Sequence, residues 1–190
     1  MMKFRKLILL TLSLSLIFGS VAYADSVSQK LKVWINKKES DSSITVDNKT
    51  YISSQIVSDK LQAILLQDDK KISIFKPNVH MVTSYDTTIF ADVKKNEKAK
   101  FMAFIQVDSL KVDINAYKLT IADPYGDETQ IISVKSGDSE FPDGKSDFWT
   151  TIKDISYKFD SVGTYTLRFW MKPVGESDFQ VVSEKTIASK

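Results

Sequence analysis

The chain has one histidine, His80, and no cysteine, so its 190 residues can assemble few of the usual catalytic sets. A serine–histidine–acid triad would have to use His80. That residue stands in Pro77-Asn78-Val79-His80-Met81, with no second histidine or cysteine at ligand spacing. A lone histidine in such a setting reads as structural or solvated. No Gly-x-Ser-x-Gly elbow, P-loop or dinucleotide fingerprint is present. The densest carboxylates, Asp138, Glu140, Asp143 and Asp147, share the stretch 136–147 with Gly137 and Gly144. Paired carboxylates can hydrolyse glycosides, and an oxygen-rich loop with glycines can hold Ca²⁺. The spacing here matches neither an EF-hand nor a repeat motif, so a long polar loop is expected. No catalytic set, cofactor or metal is read from these residues, and the chain reads as a non-enzyme.

Aromatic residues give the better functional hint. Along Thr164–Met171 the residues Tyr165, Leu167, Phe169 and Met171 fall on one face, so Trp170 falls on the other with Thr166 and Arg168. By the same count Met102 and Phe104 fall on an outer face. Aromatic anchors dominate many interfaces, which makes Trp170, Phe141 and Tyr125 the candidate partner-binding residues. The other way to satisfy an outer apolar patch is to cover it with the N-terminal part of the chain.

The elements that position these residues are mostly strands. Leu31–Ile35 and Ile44–Val46 alternate, and Asp47-Asn48-Lys49 is a turn leading into Thr50-Tyr51-Ile52. Ser53 or Ser54 caps a short helix with Ile56, Val57, Leu61 and Ile64 at helical spacing. Asp68-Asp69 then turns a hairpin between Ile64-Leu65-Leu66 and Ile72–Phe75. From Val79 onward, strands at 101–107, 117–121, 129–134, 148–155, 164–171 and 179–187 join one or two near 79–90. Turn signals at roughly ten-residue spacing are the pattern of a β-sandwich of about seven strands.

Two resemblances follow from these residues. Val33-Trp34-Ile35-Asn36, the hairpin Ile44–Ile52, the helix and Lys71-Ile72-Ser73-Ile74 together resemble the stalk module called copper amine oxidase N-terminal-like. Lys37, Lys49 and Ser53 replace the glycine, arginine and proline usual in that family. The resemblance implies a non-catalytic surface module without a copper site. Asp160-Ser161-Val162-Gly163-Thr164-Tyr165-Thr166-Leu167 resembles the tyrosine corner of immunoglobulin-like domains, with Leu167 at the position of the usual cysteine. Gly163 and Tyr165 are its signature residues, and disulfide-free bacterial Ig-like domains are the implied relatives. The expected fold is therefore mainly β: a small α+β stalk-like module, then an Ig-like antiparallel sandwich.

The first residues give an address. Lys3, Arg5 and Lys6 precede an apolar run from Leu7 to Val21, and Ala22-Tyr23-Ala24 is a signal-peptidase tripeptide. The run falls short of the about 20 residues of a membrane span, and without cysteine there is no lipid anchor. The expected organisation is a signal peptide at 1–24, the stalk-like module at 25–77 and the sandwich at 78–190, with no membrane span after cleavage. Removing three of the 26 basic residues leaves 23 against 24 acidic ones, a charge of −1. Such a chain has no field for nucleic acid, and Lys94, Lys95, Lys98 and Lys100 with Asp92 and Glu97 read as a solvated loop. The expected product is secreted or loosely envelope-associated and binds or spaces a protein or a cell-wall glycan. The alternative is a secreted proteinase inhibitor of Ig-like fold, since small bacterial inhibitors carry a similar corner.

Overall fold

The computed structural model describes residues 29–30, 32–35, 38–40 and 43–190, and the expected leader at 1–24 lies outside them. The chain divides into two compact units, one ending at Ser53 and one spanning Ser54–Lys190. In the first, β1 (Gln29–Lys30), β4 (Ser43–Val46) and β5 (Lys49–Ile52) form one antiparallel sheet. A hairpin pairs β2 (Val33–Ile35) with β3 (Lys38–Ser40). Asp47 and Asn48 both take positive φ, 50° and 59°, the twist-matched turn that a two-residue hairpin prefers.

The second unit opens with helix α1 (Ser54–Leu61), followed by β6 (Ile64–Gln67) and β7 (Ile72–Phe75). The helix stops because Gln62 turns left-handed at φ 55° and the Ala63 amide bonds back to the Ser58 carbonyl at 2.9 Å. Ile64, expected at the end of the helical stripe, is thereby the first residue of a strand. At the β6–β7 turn the Asp68 carboxylate accepts the Lys70 and Lys71 amides at 2.9 and 2.8 Å.

Seven long strands build the sandwich: β8 (Asn78–Tyr85), β11 (Glu97–Asp108), β12 (Ile114–Ala122), β13 (Glu128–Lys135), β14 (Phe148–Phe159), β15 (Gly163–Pro173) and β16 (Gln180–Ser189). One sheet has the order β14-β11-β8-β9, with β9 at Thr88–Ile89. The other has the order β10-β16-β15-β12-β13, with β10 at Asp92–Val93. Strand pairs are antiparallel except β10, which runs parallel to β16. The sheets form a sandwich in which the first long strand, β8, joins one sheet and β10, which follows it, joins the edge of the other.

Alternation explains the layering. In β11 Ala99, Phe101, Ala103, Ile105 and Val107 are buried, and in β15 Tyr165, Leu167, Phe169 and Met171 are buried, giving one core between the sheets. A bulge in β14 resets the count. Phe101 pairs with Ile155 but Ala103 with Ile152, and Asp154 takes φ 56°. Buried residues are thus Phe148 and Ile152 before the bulge, then Ile155 and Phe159 after it.

Ile64 is fully buried in this same core, and Leu66 and Phe75 pack against it. The Gln180 side chain adds a clamp, accepting the Leu65 amide at 2.6 Å and donating to the Leu65 carbonyl at 2.8 Å. Contacts therefore divide the chain at Ser53, not at the expected Pro77, and the helix and hairpin belong with the sandwich. No helix among the described residues is long and apolar enough to cross a membrane.

Candidate functional site

The outer face of the β14–β11–β8 layer is set by strand register. Gln106 of β11 pairs with Trp149 of β14 on one side and His80 of β8 on the other. The next outward-facing row is Thr151, Phe104 and Val82, and beyond the first row Asp108 pairs with Asn78. Trp149 follows buried Phe148 by one residue, so the pleat turns its indole to solvent, where it is 72% exposed. Phe104 lies between buried Ala103 and Ile105 and is 36% exposed.

Polar groups beside these rings are already oriented. The Gln106 amide nitrogen donates to both Asp108 oxygens at 3.0 and 3.1 Å. The Asn78 amide reaches the same carboxylate at 3.5 Å. Asp147 accepts the Ser109 amide at 2.8 Å and the Ser146 hydroxyl at 2.6 Å. Those bonds hold the Asp147 carboxyl below the usual carboxylate range, the Ser146 hydroxyl contributing most. Phe104, Gln106, Asp108, Asp147, Phe148 and Trp149 together line an open cleft of about 340 Å³.

The residues singled out from the sequence are dispersed. Trp170 does lie on the outer face of the other sheet, but it is partly buried there. Its indole N–H donates to Thr120 Oγ1 at 2.8 Å, and Lys118 Nζ lies 4.6 Å from its ring and 4.7 Å from that of Phe179. Phe141 is a correction. Only 8% exposed, it stacks on Tyr117 at 6.1 Å, because the loop after β13 folds back over the core. Burial pushes the Tyr117 phenol above its ordinary range, against the opposing effect of its bond to Thr150.

Tyr125 is 79% exposed at the tip of the β12–β13 turn. Asp123 closes that turn by accepting the Tyr125 and Asp127 amides at 2.8 and 2.9 Å. Gly163 and Tyr165 form the corner: the Tyr165 hydroxyl accepts the Ser161 amide at 2.9 Å while its ring packs on Phe159 at 4.8 Å.

The carboxylate loop holds its own backbone. Asp138 accepts the Lys135 amide at 2.8 Å and Asp143 the Ser136 hydroxyl at 2.9 Å. Among the described residues, no three histidine, aspartate or glutamate side chains converge as metal ligands. His80 is exposed on the same row as Trp149.

Trp149 was the residue missed by sequence reasoning. Its signal was available, since Phe148 and Ile152 on the inner face put Trp149 outside by simple alternation. The site's chemistry is exposed aromatic rings with hydrogen-bonded donors and acceptors fixed beside them. No family model matches the chain, and no curated protein matches it either.

Proposed function

We propose that the chain is an exported, non-catalytic protein of a bacterial envelope that binds a component of that envelope through the outer face of the β14–β11–β8 layer. The observation that carries the reading is Trp149, an indole held open to solvent beside Phe104 and a pre-oriented Gln106–Asp108 pair. Large exposed apolar groups clustered with fixed polar ones mark binding surfaces rather than packing faults. The leader pattern at 1–24 supports export, and without cysteine the exported fold relies on its core alone. Residues 25–77 belong to the same proposal as a stalk-like, non-catalytic module, although its helix and β6–β7 hairpin group with the sandwich.

Proteinase inhibition draws less from the geometry. Tyr125, the exposed side chain on the β12–β13 turn, sits on a tight loop closed by Asp123. A substrate-like inhibitor offers its residue on an extended strand that adds to the protease.

The test is retention of the purified exported protein on washed envelopes of the producing cell. Trp149→Ala is expected to weaken retention about tenfold or more, with the unfolding midpoint unchanged because the side chain is exposed. Equal retention of the variant would remove this face from the function.

A further inference from the structure

The sheet face proposed above as the contact surface also carries information on what it contacts, and the inference that follows rests on that reading. A sugar ring has a flat apolar face of C–H bonds and a rim of hydroxyls. Its complement is an exposed aromatic face with planar amide and carboxylate groups at the rim. The outer row Trp149–Gln106–His80 supplies that arrangement in register, with Phe104 one row away and Asp108 on the other side. We infer that this face binds a glycan chain, one ring stacked on Trp149 and the hydroxyls beside it bonded to Gln106, Asp108 and His80.

Four features favour a glycan over other ligands. Neighbouring strands lie about 4.8 Å apart, close to the width of one sugar ring, so successive side chains in the row match successive hydroxyl sets along a chain. The Gln106 amide is fixed by both Asp108 oxygens, which leaves its carbonyl oxygen free as an acceptor in a set orientation. Little side-chain freedom is then lost on binding. The cleft of about 340 Å³ suits a small ligand, and its apolar part is three aromatic side chains, Phe104, Phe148 and Trp149, short of the core of a stable protein interface. Asp108 and Asp147 at its edge repel phosphate, which argues against nucleic acid.

The exported protein is tested against three materials from the same cells: whole envelopes, purified peptidoglycan, and the total polysaccharide fraction cast into affinity gels. Retention on peptidoglycan or retardation by the polysaccharides is expected, reduced tenfold or more in Trp149→Ala and Gln106→Ala and unchanged in a variant of the exposed Val162, Val162→Ala. Retention on whole envelopes that depends on Trp149 but is absent from both glycan fractions, and is lost when the envelopes are stripped with protease, would overturn the glycan inference and leave the binding reading standing. Absence of retention on all three would overturn both.

Discussion

Gly163 meets two demands that no residue with a side chain meets together. Its φ is 139°, and a Cβ there would lie 2.9 Å from both Cβ and Cγ of Pro124. Pro124 belongs to the closed Asp123–Asp127 turn, so neither side has room to yield. Gly163→Ala is expected to lower stability by about 2–3 kcal/mol, read from urea unfolding. Tyr165→Phe keeps the ring against Phe159 and removes the Ser161 amide bond, for a loss of about 1 kcal/mol. A larger loss for Tyr165→Phe than for Gly163→Ala would mean that the hydroxyl, not the close approach, fixes the corner. This corner was legible because its residues are adjacent in sequence. Phe141 was not, since only the folding-back of its loop brings it onto Tyr117. Trp170 was half legible: alternation gives its face, but not the Thr120 bond or the Lys118 ammonium that occupy it.

Elements here are stitched by single polar side chains whose loss has local readouts. Gln180 is the only described side chain bonding both polar backbone groups of Leu65. Gln180→Ala is expected to cost about 1–3 kcal/mol and to speed hydrogen exchange at the Leu65 amide more than at the β11 amides. Uniform acceleration across both would show global destabilisation instead. Asp147 ties the segment before β14 to Ser109 at the end of β11. Its carboxyl is held low by the Ser146 hydroxyl and the Ser109 amide, so its contribution is present above the ordinary carboxylate range and lost as pH falls through the lowered value. Urea midpoints from neutral pH downward should fall in acid, and Asp147→Asn should start lower and flatten that limb. The exposed Asp154, held low by its bond to Lys100, leaves a residual slope that salt weakens. An acid limb unchanged in Asp147→Asn would place the titration elsewhere. Turns marked by Asp47-Asn48 and Asp68 were readable because the residue types suit the geometry. The α1 stop at Gln62 and the β14 bulge at Asp154 were not, because neither has a glycine or proline to announce it.

At the scale of the whole molecule, a sandwich without disulfides depends on closing every part of its core, and the helix and β6–β7 hairpin take part in that closure. Ile64 is fully buried among sandwich residues, with Leu66 and Phe75 packed on the same cluster. Sequence pattern alone groups this hairpin with the strands before it, because hydrophobic spacing says that a strand is buried and not against which partner. A fragment spanning Ser54–Lys190 should therefore unfold in one cooperative transition with a sharp urea dependence. A fragment of residues 78–190, cut at the boundary expected from sequence, leaves the place of Ile64 empty and exposes its neighbours. Truncating one such aliphatic side chain costs about 2–5 kcal/mol, a large share of the total stability of about 5–15 kcal/mol typical of a domain. The shorter fragment should consequently melt much earlier, bind a hydrophobic dye and recover on adding back residues 54–77. Ile64→Ala in the full chain separates packing from mere length: it should reproduce much of the loss with every residue still present. If the fragment of residues 78–190 proved as stable as the longer one, the hairpin would be an accessory to the sandwich, and the core would close without it.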